Sequence, residues 1–184
     1  MVILCDGDLF SLCFCRSRVR VIDAYIQKLK SRGEIRKACR YMVKIGRESE
    51  AIKLLRERKM FVDAVAMTKL SGEVSILNEI YSEWSAYLKD NGNYAEAFQL
   101  QCIIGDWEQA IVLLKSWNTP EAFKVGIPVA LQHGEIDAAK EFGIQLFEYE
   151  LIQGDHEICR GLVQKYPEID MKVVSLQMSD LNFG

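Results

Sequence analysis

Ala38, Ala51 and Ala64 stand 13 residues apart, and Ala97 and Ala110 repeat that step. Each lies five positions after a turn residue (Gly33, Gly46, Lys59, Gly92 and Gly105), and Gly134 with Ala139 adds a sixth copy. Between turn and alanine most copies place an apolar residue two positions after the turn, such as Ile35, Phe61, Tyr94 or Trp107. Several also place an acid or amide directly before the alanine, as with Glu50, Asp63, Glu96 and Gln109. Thirteen residues make one short helix and one tight turn. Antiparallel helices approach closely only where a small side chain sits at the crossing and larger apolar ones fill the turns beside it. Ala51 is followed by Ile52, Leu54 and Leu55, and Ala110 by Ile111, Leu113 and Leu114. The chain is therefore expected to be all-α, an α-solenoid of short antiparallel helical hairpins.

Periodicity and capping residues place the helices. The first amphipathic segment runs from about residue 21 to 31, with Ile22, Tyr25, Ile26 and Leu29 on one face, and Gly33 ends it. Helices follow at about 34–45, 47–58 and 60–70, then a longer one at 73–90 whose stripe is Leu77, Ile80, Tyr81, Trp84, Tyr87 and Leu88. Asn93 with Glu96 and Asp106 with Gln109 read as capping boxes, and Thr119-Pro120 as a cap with proline at the first helical position. These set helices at 94–104, 107–117 and 120–132, the last expected to kink or divide at Pro128. A second long helix is expected over 135–153, with Ile136, Ala139, Phe142, Leu146, Phe147 and Leu151 buried, then one at 156–165 and a fragment at 172–178. The expected organisation is thus an unassigned segment at 1–20, the solenoid at 21–168 and a tail or further helix at 169–184. An apolar stretch at residues 2–4 is the one place where strand is considered.

With 184 residues, 49% of them hydrophobic and only three prolines, the chain has the material for a sizeable core. Its net charge of −3 conceals an asymmetry: residues 1–60 carry 15 basic and 7 acidic side chains, a net of +8, and residues 61–184 carry 8 and 19, a net of −11. A basic stretch of this kind suits RNA phosphate, the acidic remainder of a second copy, or merely solvent. Arg36, Lys37, Arg40 and Lys44 are the candidate RNA contacts, although no aromatic residues interleave with them as a base-stacking platform requires.

The six cysteines include no Cys-x-x-Cys pair, and the two histidines, His133 and His156, are far apart, so no metal site and no cofactor are expected. Core thiols are the simpler reading for Cys39 and Cys102, and free thiols imply a reducing cytosolic or nuclear compartment. The N-terminal apolar stretch lacks a basic leader and contains Asp6 and Asp8, and no apolar run reaches the ~18–20 residues of a membrane span, so neither secretion nor membrane insertion is expected. Phosphate-loop, zinc-protease and serine-hydrolase motifs are missing, and the chain is read as having no catalytic residues. Trp84, Trp107 and Trp117 are either core or interface anchors. With Tyr81 and Leu88 they form the candidate interface.

Three stretches carry a family resemblance: residues 38–55, Phe61 through Ala66, and Ile80 through Ala97. Together with the order of short and long helices over about residues 22–168, they resemble the tetratricopeptide-like dimerisation domain of gem-associated protein 5, an RNA-binding component of the SMN complex. The resemblance implies a homodimerising scaffold whose partners include SMN complex proteins. It assigns RNA recognition in snRNP assembly and translation control to flanking regions that this chain does not contain. Residues 1–20 depart from that pattern, which supplies a helix there, and the chain is expected to be a fragment or an incomplete gene model. The alternative is a protein- or peptide-binding α-solenoid of a WD-repeat trafficking or transport-complex subunit, since such arrays share the short alanine-containing repeat.

Overall fold

The computed structural model describes the backbone of residues 7–167 and the side chains of residues 19–167. Among the described residues there are ten α-helices and no strand. They are α1 (Gly7–Ser31), α2 (Ile35–Lys44), α3 (Glu48–Glu57), α4 (Phe61–Ser71), α5 (Leu77–Asp90), α6 (Tyr94–Ile104), α7 (Trp107–Trp117), α8 (Pro120–Gln132), α9 (Ile136–Gln153) and α10 (His156–Lys165), with a 3₁₀ turn at Val74–Ile76 before α5. The all-α solenoid is thus what the 13-residue period encodes. The chain divides into two compact units, Met1–Ile80 and Tyr81–Gly184.

Three local expectations need correction. The first helix begins at Gly7 rather than near residue 21, so α1 takes in most of the segment expected to be unassigned. Pro128 does not divide α8, which runs unbroken through it. The carbonyl four residues back belongs to Lys124, and both residues are exposed, so the lost N–H leaves that carbonyl facing water rather than the core. Asn93 occupies the N-cap position of α6 without making a side-chain cap, whereas Asp106 accepts from the Gln109 N–H at 3.0 Å and Thr119 from the Ala122 N–H at 3.3 Å. The segments considered at residues 2–4 and 172–178 lie outside the described residues.

In both units each helix packs on its neighbours in sequence, α1 through α4 in the first and α6 through α10 in the second. The motif alanines are the crossing points: Ala38, Ala51, Ala64, Ala97, Ala110 and Ala139 all have no exposed surface. Two of their carbonyls receive a hydrogen bond from a small polar residue 12 positions earlier, Ser85 Oγ donating to Ala97 at 3.1 Å and Cys39 Sγ to Ala51 at 3.7 Å. Buried Gln101 extends the first of these by donating Nε2 to Ser85 Oγ at 3.0 Å. The hydroxyl and the amide thereby find partners inside the unit.

Ion pairs record the next order of the repeat. Arg47 at the start of α3 holds Asp23 of α1 at 2.8 Å, Arg36 of α2 holds Asp63 of α4 at 2.9 Å, and Arg56 of α3 holds Glu79 of α5 at 3.3 Å. In the second unit Lys115 of α7 pairs with Glu141 of α9. Their separations of 24, 27, 23 and 26 residues are close to two repeats, and each of these pairs joins a helix to the next but one. Such exposed pairs contribute ~0–1 kcal/mol each, and their value here is as a marker of stacking.

Most turns end their helix with a left-handed glycine, but Lys59 (φ 57°) and Asn118 (φ 48°) take that conformation with a side chain. Asparagine tolerates it and lysine does not. Lys59→Gly is expected to stabilise the first unit by about 0.5–1 kcal/mol, the strain relieved outweighing the added freedom of the unfolded chain. A thermal melt in which the variant unfolds below wild type would refute this.

Candidate interaction surface

The second unit is built around Phe142, which is fully buried between α8 and α9 among Ile127, Ala130, Ala139 and Leu146. Phe123 stacks near it with ring centroids 6.1 Å apart. A smaller cluster joins Leu88 of α5 to Ala97, Leu100 and Leu113, and Tyr81, Trp84 and Tyr94 pack against it. That arrangement locates the aromatic candidates. Leu88 is buried, and Tyr81, Trp84, Trp107 and Trp117 are half-buried. Trp107 stacks on His133 at 4.0 Å, and Trp117 packs against the Phe142 cluster. The five residues contribute to the second unit's own packing.

The four basic candidates share α2 and are all exposed. Arg36 is engaged by Asp63, Lys37 by Glu34, and the Lys44 ammonium lies 5.1 Å from the centroid of the Tyr41 ring. The Lys37 contact lowers the pKa of Glu34 and raises that of the lysine. Arg40 has no carboxylate partner among the described residues.

Sequence reasoning missed the exposed aliphatics. Val62 is 65% exposed, Leu70 89% and Val74 60%. Val62, exposed Ala66 and Leu70 recur every four residues along the face of α4 turned away from buried Phe61, Ala64 and Thr68, and Val74 follows in the 3₁₀ turn. The signal was present, because the apolar residues of α4 are not confined to one face and exceed what one buried face requires. On α9, Ile136, expected to be buried, is 52% exposed and Ile152 is 78% exposed. Two concavities accompany these surfaces. One of about 190 Å³ lies between α2 and α4, and one of about 420 Å³ between α9 and α10 has Phe147, Leu151, Cys159 and Val163 as its apolar lining.

Burial raises the pKa of the Cys39, Cys102 and Cys159 thiols, which keeps them protonated and poor as nucleophiles or ligands. Among the described residues no group of three or more His, Cys, Asp or Glu side chains is placed to hold a metal. Glu150 is the one buried carboxylate among the described residues, and it accepts a hydrogen bond from Lys124 Nζ at 3.0 Å. That bond holds the Lys124 pKa above the ordinary lysine value. The pair ties α8 to α9. No helix among the described residues is long and apolar enough to cross a membrane.

A family profile described as the GEMI5 TPR domain matches residues 15–156, from the middle of α1 to the start of α10. The chain belongs to this family. Among characterised proteins, Gem-associated protein 5 of Mus musculus is 30% identical over 86 residues, which is 46% of this chain and 6% of the mouse protein. The chain thus corresponds to a small part of that relative. The GEMI5 TPR domain match takes in the motif alanines from Ala38 to Ala139 and all the turns between them, so the repeat read from the sequence and the family are the same feature seen twice. It also takes in α4 with its exposed stripe and the basic face of α2. A protein-interaction scaffold is the role that a domain of this family supports.

Proposed function

We propose that this chain is a non-catalytic homodimerisation module. On this reading it holds together two copies of a larger protein whose other regions bind RNA in snRNP assembly and translation control, in the cytoplasm and nucleus, alongside SMN complex proteins. The observation that carries the proposal is the GEMI5 TPR domain match over residues 15–156, with the relation to mouse Gem-associated protein 5 behind it. Pairing two copies doubles the valency of attached RNA-binding parts and raises apparent affinity without a new contact.

The test is the molar mass of the full chain in solution by light scattering over a concentration series. The expected result is a species of twice 21.1 kDa that dissociates only on dilution. A folded monomer throughout would refute dimerisation as a property of this chain. It would favour the second reading, a partner-binding solenoid, for which the exposed stripe on α4 is the specific support.

A further inference from the structure

The groove between α2 and α4 has an apolar floor and a charged rim. Leu55, Cys39, Ala66, Met67 and Leu70 line it, and Arg36, Arg40 and Asp63 stand at its edge. At about 190 Å³ it is too small for a drug-sized ligand, whose pockets run to roughly 300–1,000 Å³, but it has room for an anchoring aliphatic side chain. The floor continues outward along α4 as exposed Val62, Ala66 and Leu70, and α2 carries exposed Arg40 and Lys44 four residues apart. Apolar and cationic surfaces therefore run side by side over about two helical turns.

We infer that this groove docks an acidic amphipathic helix of a partner protein. A helix laid along α2 and α4 would set aliphatic residues at i, i+4 and i+7 over Ala66, Met67 and Leu70, and acids on its flank against Arg40 and Lys44. Arg40, which has no carboxylate partner among the described residues, supplies the free charge, and a second carboxylate can share Arg36 with Asp63. Nucleic acid fits less well. No aromatic ring in the groove offers a stacking surface, and a phosphate backbone leaves Leu70 and Val62 uncovered. The inference is independent of dimerisation, because it concerns a heterologous partner of this one groove.

The experiment is fluorescence anisotropy on the full chain with two labelled helical peptides. Both carry Leu at i, i+4 and i+7; one has Glu at every other surface position and the other Lys. The Glu peptide is expected to bind at least about tenfold more tightly, and Leu70→Glu and Arg40→Glu are each expected to weaken it by about tenfold. Both residues are exposed, so circular dichroism and melting temperature should not change. Equal binding of the two peptides, binding of neither, or indifference to Leu70→Glu would overturn the inference. If Arg40→Glu instead abolished binding of a labelled single-stranded RNA and left the peptide unaffected, the groove would be a nucleic-acid site. If Leu70→Glu changed the molar mass in solution, the face would be an interface between copies, and the heterologous helix would likewise be ruled out.

Discussion

Phe142→Ala is expected to cost the second unit about 3–5 kcal/mol, and Gly126→Ala, a single added methyl, about 1–3 kcal/mol. Phe142 is fully buried at the contact between α8 and α9, so truncating it opens a cavity in the middle of the larger cluster. Gly126 faces it from α8. A β-carbon there would sit 2.6 Å from Cδ2, 2.7 Å from Cε2 and 3.1 Å from Cγ of the Phe142 ring, well inside contact distance. The ring is fully buried in the cluster, so making room for the methyl means moving the ring against its neighbours or parting α8 from α9. On an exposed helix the same change would instead stabilise by up to about 1 kcal/mol through helix propensity. The sign of the effect is therefore the test: urea denaturation showing Gly126→Ala at or above wild-type stability would mean that the ring and the glycine are not in contact. The two sites should also couple, with Gly126→Ala costing much less in a Phe142→Leu background. All three tryptophans lie in the second unit, so intrinsic fluorescence reports its unfolding directly.

Gly126 also shows where a sequence becomes hard to read. Two residues before Pro128, it reads from local propensity as part of a helix break, because glycine and proline both weaken helices. The same pair sits in an unbroken α8, the proline on the solvent face and the glycine at a close helix–helix approach. Local propensity cannot distinguish a glycine that ends a helix from one that admits an aromatic ring, since the difference lies in α9, 16 residues away. By contrast, the turns at Gly33, Gly46, Gly92 and Gly105 were legible because each is local: a left-handed residue closes one helix and fixes the phase of the next. The alanines were legible for a related reason, since the repeat places each at the same depth.

The surface was less legible than the core. Tyr81, Trp84 and Leu88 keep helical spacing on α5, which predicts a buried stripe but does not say whether the same chain or a second copy covers it. The structure supplies Ala97, Leu100 and Leu113 as part of the cover. Leu70 and Val62 drew no notice because aliphatics on a short, mostly apolar helix look like core. Their exposure depends on which sides of α4 its neighbours occupy, and that is a property of stacking rather than of the 13-residue pattern.

The repeat itself makes the sharpest prediction. Ala97→Leu is expected to destabilise the second unit by about 1–3 kcal/mol, whereas Ala95→Leu, two residues earlier on α6, should fall within about 0.5 kcal/mol of wild type. Helix propensity is nearly the same in both cases, since alanine and leucine are both strong helix formers. What differs is the surroundings. Ala95 is exposed, whereas Ala97 has no exposed surface and lies at the approach of α5 to α6, where Ser85 reaches its carbonyl at 3.1 Å and Gln101 completes the relay. Three more carbons at that position push α5 away, and the separation removes the Ser85 bond as well. The serine hydroxyl and the Gln101 amide would then be buried without partners, a penalty of about 1–3 kcal/mol that moves the expected cost toward the upper end of the range. Equal stabilities for the two leucine variants, read by tryptophan fluorescence in urea, would show that the alanine period does not set the helix crossings. The link from 13-residue spacing to solenoid packing would then fail at its first step.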